Sequence, residues 1–261
     1  MISAEQKIIT FHDQSIKIGY FKKSDKNYKK NFMVNWLKGA IKNVSSDCVI
    51  FGFEDSSLKI LLYKRGINPC KGAWALPGGF LKKGELFEEA ARRILKATTG
   101  VTDIYLEEVA VFDQLDRFPP WRVFTVGYFA LVKPGKYKIT ATGLDSTEVR
   151  WFNFDELPEL AWDHKNIVET ALNKLRSVVL HKPIGLELVP NKFTLPQLQN
   201  LYEVILGRQL DRRNFRKKMI QMNLLKKLDE RDPNNKTNAA YLYKFDKRVY
   251  NKLITKGFVL E

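Results

Sequence analysis

Glu85, Glu88 and Glu89 crowd one short stretch of the chain, and Arg92 and Arg93 follow a helical turn later. Carboxylates along one helix can hold Mg²⁺, which polarises phosphate oxygens and activates a water. Magnesium takes near-octahedral oxygen coordination, yet Glu88 and Glu89 each have an arginine at i+4, the spacing of solvated ion pairs. The stretch reads as a salt-bridged helix before it reads as a metal site, so no catalytic residue, metal ligand or cofactor is assigned to it. A second chemical group lies far downstream, where five of the seven residues 212–218 are basic. A planar guanidinium fork matches guanine edges and phosphate oxygens alike, so this stretch points to a polyanion.

The elements that must carry these residues follow from periodicity. Leu86, Ala90, Ile94 and Ala97 form one apolar ridge and Phe87, Ala91 and Leu95 a second, ended by Gly100. Before that helix, CVIFGFED and LKILLYKRG read as two strands leading into WALPGGF. After it come the strands TDIYLEEVAVFDQ, RVFTVGYFALVKP and EVRWFNF, then a helix with Ile167, Ala171, Leu172 and Leu175 at helical spacing. Strands between two helices predict an α/β/α layering over residues 46–185. Residues 7–21 predict a hairpin within a basic N-terminal extension, 1–45, and residues 183–190, bounded by prolines, mark the junction to a second domain, 186–261.

Charge divides the chain in the same way. Residues 1–45 carry a net +6, residues 46–190 are neutral, and residues 191–261 carry +9 of the total +15. A basic tail domain on a neutral body favours nucleic acid over a membrane, because no amphipathic Trp/Phe/Leu-faced helix accompanies it. With 261 residues, 44 % of them hydrophobic, two modest cores can form without a metal or disulfide staple. Cys48 and Cys70 make no CxxC or Cys/His cluster, and neither a signal-peptide core nor an 18-residue apolar run is evident. These features predict a cytoplasmic protein without a membrane partner.

The tail domain has its own signals. Thr194 and Pro196 read as N-cap and first-turn proline of a helix whose apolar face is Leu198, Leu201, Tyr202 and Ile205, stopped by Gly207. Asp211 caps a second helix, with Phe215, Met219 and Met222 facing inward. LLKKLDERDPNNKTNAAYLYKFD then reads as strand, turn and strand, with Tyr241, Tyr243 and Phe245 in the core, and a helix over 246–257 closes the unit. Two helices joined by a three-residue turn, followed by a hairpin with Lys226, Lys227, Arg231 and Lys236, make a winged helix-turn-helix. The residues expected to meet duplex DNA are Arg212, Arg213, Asn214, Arg216, Lys217, Lys218 and Lys236.

The spacing of the first group resembles the Nudix box: Gly79, Glu85, Arg93, Leu95, Gly100 and Val101 stand on its places. The three places of its remaining glutamates hold Ile94, Ala97 and Thr98. Together with LPGGF (76–80), DRFPPWRV (116–123), FTLPQLQNLYE (193–203), DRRNFRKK (211–218) and AAYLYKF (239–245), the chain resembles the Nudix-related transcriptional regulators of bacteria over residues 45–250. That resemblance implies a Nudix-type α/β/α sandwich followed by a C-terminal winged helix. It also implies a small-molecule effector, a nucleotide sugar such as ADP-ribose or a free sugar such as arabinose, and a homodimer on operator DNA. Carried over residue by residue, it places Arg65 and Phe80 on the pocket wall and Asp116, Arg117 and Arg122 over the pocket. It leaves Glu85 to accept hydrogen bonds from sugar hydroxyls. The expectation is a ligand-responsive regulator and not an enzyme. The alternatives are an active Nudix pyrophosphohydrolase with a rearranged metal site, or a nucleic-acid-binding module with no effector.

Overall fold

A computed structural model of the chain describes residues 6–12, 15–21, 40–100, 102, 104–135, 146–233, 239–246 and 248–249. Strands β1 (Gln6–His12) and β2 (Ser15–Phe21) pair antiparallel as the expected hairpin. The central sheet starts with β3 (Ala40–Glu54) and β4 (Ser57–Arg65), followed by the short β5 (Trp74–Ala75) and β6 (Gly78–Lys82). The box helix α1 (Phe87–Thr99) leads to β7 (Tyr105–Phe112), β8 (Phe124–Leu131) and β9 (Ser146–Asn153). The strand order is β5-β4-β3-β8-β7, with β6 on β3 and β9 on β4. Only β3 and β8 run parallel among these pairs. Strand β3 begins at Ala40, so the sheet reaches back into the stretch expected to be extension.

The alternation of side chains along each strand separates two cores. Cys48, Ile50, Leu61, Val126, Tyr128 and Ala130 face Ala91 and Leu95 of α1. Val49, Phe51, Ile60, Leu62, Phe129 and Leu131 face the helix α2 (His164–His181), which buries Ile167, Val168, Ala171, Leu172 and Leu175. This is the predicted α/β/α sandwich. One part of the expected α1 ridge is corrected. Leu86 is the N-cap in extended backbone and 70 % exposed, and Ala97 is exposed too. Burial on that helix belongs to Ala90, Ala91, Ile94 and Leu95.

The second core is continuous with the tail domain. Ile184, Leu186, Leu188 and Val189 are buried in the predicted junction and join α2 to Leu198, Leu201, Tyr202 and Ile205. The junction is thus packed, as its apolar residues dictate. Helix α3 (Leu195–Leu206) is capped by Thr194, whose hydroxyl accepts from the Gln197 N–H while Gln197 accepts from the Thr194 N–H. Helix α4 (Arg212–Gln221) is capped by Asp211, which accepts from the Asn214 N–H at 2.8 Å. Gln199 and Glu203 fix the turn between them by bonding the Leu210 carbonyl and N–H. Strands β11 (Leu225–Arg231) and β12 (Tyr241–Phe245) form the wing, and β10 (Phe193–Thr194), not foreseen from sequence, pairs with β12. Most of the closing helix expected over 246–257, and Lys236, lie outside the described residues. Among the described residues no helix is long and apolar enough to cross a membrane.

Candidate functional site

Four aromatic rings from three separated segments meet beside β6. Phe80 stacks on Trp121 at 6.0 Å and 25°, Phe118 meets Trp121 edge-on at 5.0 Å, and Phe118 lies 5.5 Å from Trp162. Arg65, at the end of β4, sets its guanidinium carbon 4.5 Å from the Trp162 ring, while donating to the Pro69 carbonyl and the Tyr63 hydroxyl. Trp162 holds φ 53°, a left-handed backbone rare for so bulky a residue. The two wall residues expected from sequence, Arg65 and Phe80, are therefore joined through Phe118 and Trp162. Aromatic faces and a guanidinium plane of this kind accept a flat, electron-rich ring by stacking and cation–π attraction.

Beneath the rings lies a buried polar network. Arg117, 7 % exposed, donates Nε and Nη2 to the two carboxylate oxygens of Asp163, both at 2.9 Å. It also donates to the Thr125 hydroxyl and lies 3.5 Å from Asp47. Ser45 completes the chain through Thr125. Burial pushes the Asp47 carboxyl up to about 6, against the pull of Arg117. Gly78 is required here, since a Cβ on it would sit 1.8 Å from Asp47 Oδ1. His164, next to Asp163, accepts from the Leu76 N–H through Nδ1 at 2.9 Å, and burial lowers its pKa to about 3. Arg117, expected over the pocket, instead directs its donors to Asp163, Thr125 and Asp47 and holds its own loop to the start of α2.

The box itself is closed. Glu85 accepts a bidentate pair of bonds from Arg93 and a third from the Lys82 N–H, and the Arg93 bonds hold its carboxyl below the usual range. Arg93 also donates to the Phe80 carbonyl. Glu85 is therefore a clamp between loop and helix and not the open acceptor expected. Glu88 pairs with Arg92 as predicted, but Glu89 turns back to accept from the Leu86 N–H at the helix start. Ile94 packs with Leu81 and Ala90, against Val44 and Phe87. A divalent ion needs oxygen donors where this apolar cluster stands, and among the described residues no three His, Cys, Asp or Glu side chains converge. The residues present do not fit a magnesium site.

Arg122 and Asp116 differ from each other. Arg122 lies over the Phe124 ring at 4.7 Å, and its buried Nη1 has no hydrogen-bond partner among the described residues. Asn43 and Trp121 anchor this part of the loop to β3 through the Arg122 and Lys42 carbonyls. Asp116 is exposed in the turn. In the tail domain Arg212, Arg213, Asn214, Arg216 and Lys217 are exposed and Lys218 half-buried on α4, while Phe215 and Met219 hold the helix to the core. On the wing, Lys227 and Arg231 both lie over the Tyr241 ring, at 3.5 and 4.3 Å.

Two family models cover the two units: the NUDIX domain matches residues 42–171, and the NrtR DNA-binding winged helix domain matches residues 185–245. The ADPR responsive transcriptional repressor NtrR of Acinetobacter baylyi is 34 % identical over 209 residues, 78 % of this chain and 82 % of that protein. The chain belongs to the NrtR family. As a family member it is a transcription regulator that joins a Nudix domain to a DNA-binding winged helix. Shewanella oneidensis NrtR complexed with a 27mer DNA superposes with a TM-score of 0.70 at 29 % identity, over 80 % of this chain and 95 % of that one. An ADP-ribose pyrophosphatase of Methanocaldococcus jannaschii is 38 % identical over 118 residues, 45 % of this chain and 68 % of that protein. Sequence reasoning about this NrtR-family chain missed Asp47, Phe118, Trp162, Asp163 and His164. The available signals were a carboxylate opening the apolar run DCVIFGF and a Trp-Asp-His triplet just before an amphipathic helix.

Proposed function

We propose that this chain is a transcriptional repressor whose grip on operator DNA is set by ADP-ribose held in the Nudix domain, and that it does not hydrolyse that ligand. Helix α4 carries the reading: its outward face presents five basic side chains, four of them exposed, over a buried Phe215 and Met219. That is the surface a major-groove reader needs, with guanidinium forks for base edges and phosphates. Lys227 and Arg231 on the wing lie over Tyr241 and would meet the phosphate backbone beside the groove.

The ligand half of the proposal rests on chemistry and on relatives. The Acinetobacter repressor and the Methanocaldococcus pyrophosphatase are both named for ADP-ribose. Adenine would stack on the ring cluster of Phe80, Phe118, Trp121 and Trp162, and the guanidinium of Arg122, whose buried Nη1 has no hydrogen-bond partner among the described residues, would turn to the pyrophosphate. Ile94 and the clamped Glu85 leave no oxygen cluster for magnesium, which supports sensing without turnover. The repressor is proposed to act as a homodimer on half-sites about one helical turn, roughly 34 Å, apart. The test is to titrate ADP-ribose calorimetrically and to assay AMP release with Mg²⁺ in the same preparation. Saturable binding without AMP is expected; Mg²⁺-dependent AMP release would make the chain a hydrolase with a rearranged metal site.

A further inference from the structure

Helix α2 touches the candidate pocket at one end and the winged helix at the other. It spans 18 residues, about 27 Å at 1.5 Å per residue. At its start, residues 162–164 meet three parts of the pocket. Trp162 packs on Phe118 and under Arg65, Asp163 receives the bidentate bonds of Arg117, and His164 accepts from the Leu76 N–H of the LPGG turn. Arg117 and Phe118 are consecutive, so any ligand that moves the Phe118 ring pulls on Asp163 through one residue. The middle of the helix is packed on the sheet by fully buried Ile167, Ala171 and Leu175, which holds it as one rigid element.

Its second half is keyed to α3. Arg176 Nε donates to the Ile205 carbonyl at 2.9 Å, on the last turn of α3, where a cation also meets the negative end of the helix dipole. Its Nη2 lies so near the α3 C-cap that a Cβ on Gly207 would come within 3.1 Å. Three residues after Gly207, Leu210 is held by Gln199 and Glu203, and the N-cap of α4, Asp211, follows it. Asp163 and Arg176 are thus the input and output contacts of one rigid element.

We propose that α2 is the coupling element of this regulator, and that Arg176 is a positioning residue which carries the displacement of α2 to α3 and α4 without touching ligand or DNA. The inference rests on the functional reading above. Coupling is a free energy shared by both ligands, so it is read as the ratio of DNA affinities with and without effector. The experiment compares the full-length chain with Arg176→Ala and Arg176→Lys. It measures the Kd for ADP-ribose, the Kd for duplex DNA from upstream of the chain's own gene, and the second again with saturating ADP-ribose. Arg176→Ala is expected to keep both separate affinities within about threefold and to lower the coupling ratio at least tenfold or to near unity. Arg176→Lys, which keeps the charge and loses the Nε geometry, guards against misfolding of the alanine variant and should give an intermediate ratio. Both variants retaining the wild-type ratio would overturn the proposal alone. A wild-type ratio of one would overturn it together with the reading on which it rests.

Discussion

In the Nudix domain the decisive charged side chains are buried or half-buried, each against its opposite. Arg117 is held by Asp163 and Asp47, and Arg93 by Glu85. In the winged helix the corresponding cations, Arg212, Arg213, Arg216 and Lys217, stand exposed, and no ion pair joins them among the described residues. The first arrangement uses charge to specify shape, since a buried arginine tolerates only the geometry that satisfies its donors. The second leaves charge available to a partner, and these four cations are part of the +9 of residues 191–261 beside a neutral body. Function divides along that line: recognition of a small ligand needs preorganised walls, whereas recognition of DNA needs cations that the fold has not already neutralised.

The contrast breaks most visibly at Arg117. Replacing it with Ala leaves the buried Asp47 and the half-buried Asp163 without their cation, and breaking such a pair costs about 3–5 kcal/mol. Urea unfolding should show a loss of that size, and a loss under about 1 kcal/mol would mean the network is not structural. The exposed side of the contrast is probed by Arg212→Ala with Arg216→Ala. Stability should be nearly unchanged, while the log–log salt slope of DNA binding flattens by about 0.9 for each phosphate no longer neutralised. An unaltered slope would take both residues off the phosphate backbone.

His164 sharpens the comparison through pH. Its folded pKa of about 3 lies below the ordinary 6.5, so between those values the unfolded chain binds more protons. Stability therefore falls as pH falls through that window, by at most about 1.4 kcal/mol per pH unit. Asp47 acts in the opposite sense, because its carboxyl, raised to about 6 from 3.8, binds a proton first in the folded state. His164→Asn, whose side-chain oxygen can still accept from the Leu76 N–H, removes the imidazole alone. The wild type should lose stability relative to that variant as the pH drops from about 6.5 to about 5, and parallel pH curves would contradict the role given to His164. The smallest effect is expected at Glu88→Ala, a solvent-exposed i,i+4 partner of Arg92, at about 0.3 kcal/mol of stability.

What sequence alone revealed divides along the distance between partners. Thr194, Gly207 and Asp211 announced the helix ends of the winged helix because a cap bonds a neighbour three or four residues away. The ridges of α1 and α2 were legible for the same reason, apart from Leu86, whose N-cap backbone turns it outward, and the exposed Ala97. Arg117 and Asp163 are 46 residues apart and Ser45 and Thr125 are 80 apart, and no local period marks such pairs. The two-residue β10 also escaped, since it exists only through its pairing with β12. Arg65 and Phe80 were singled out from the sequence, but the rings of Phe118 and Trp162 that join them come from loops with no periodicity to read.

Ligand-controlled DNA binding is tested most directly by a mobility-shift titration of the purified protein on its own upstream DNA, at fixed physiological salt, with and without ADP-ribose. A specific complex whose affinity changes when ADP-ribose is present is the predicted result. A specific complex indifferent to ADP-ribose, or no specific complex at all, would contradict it.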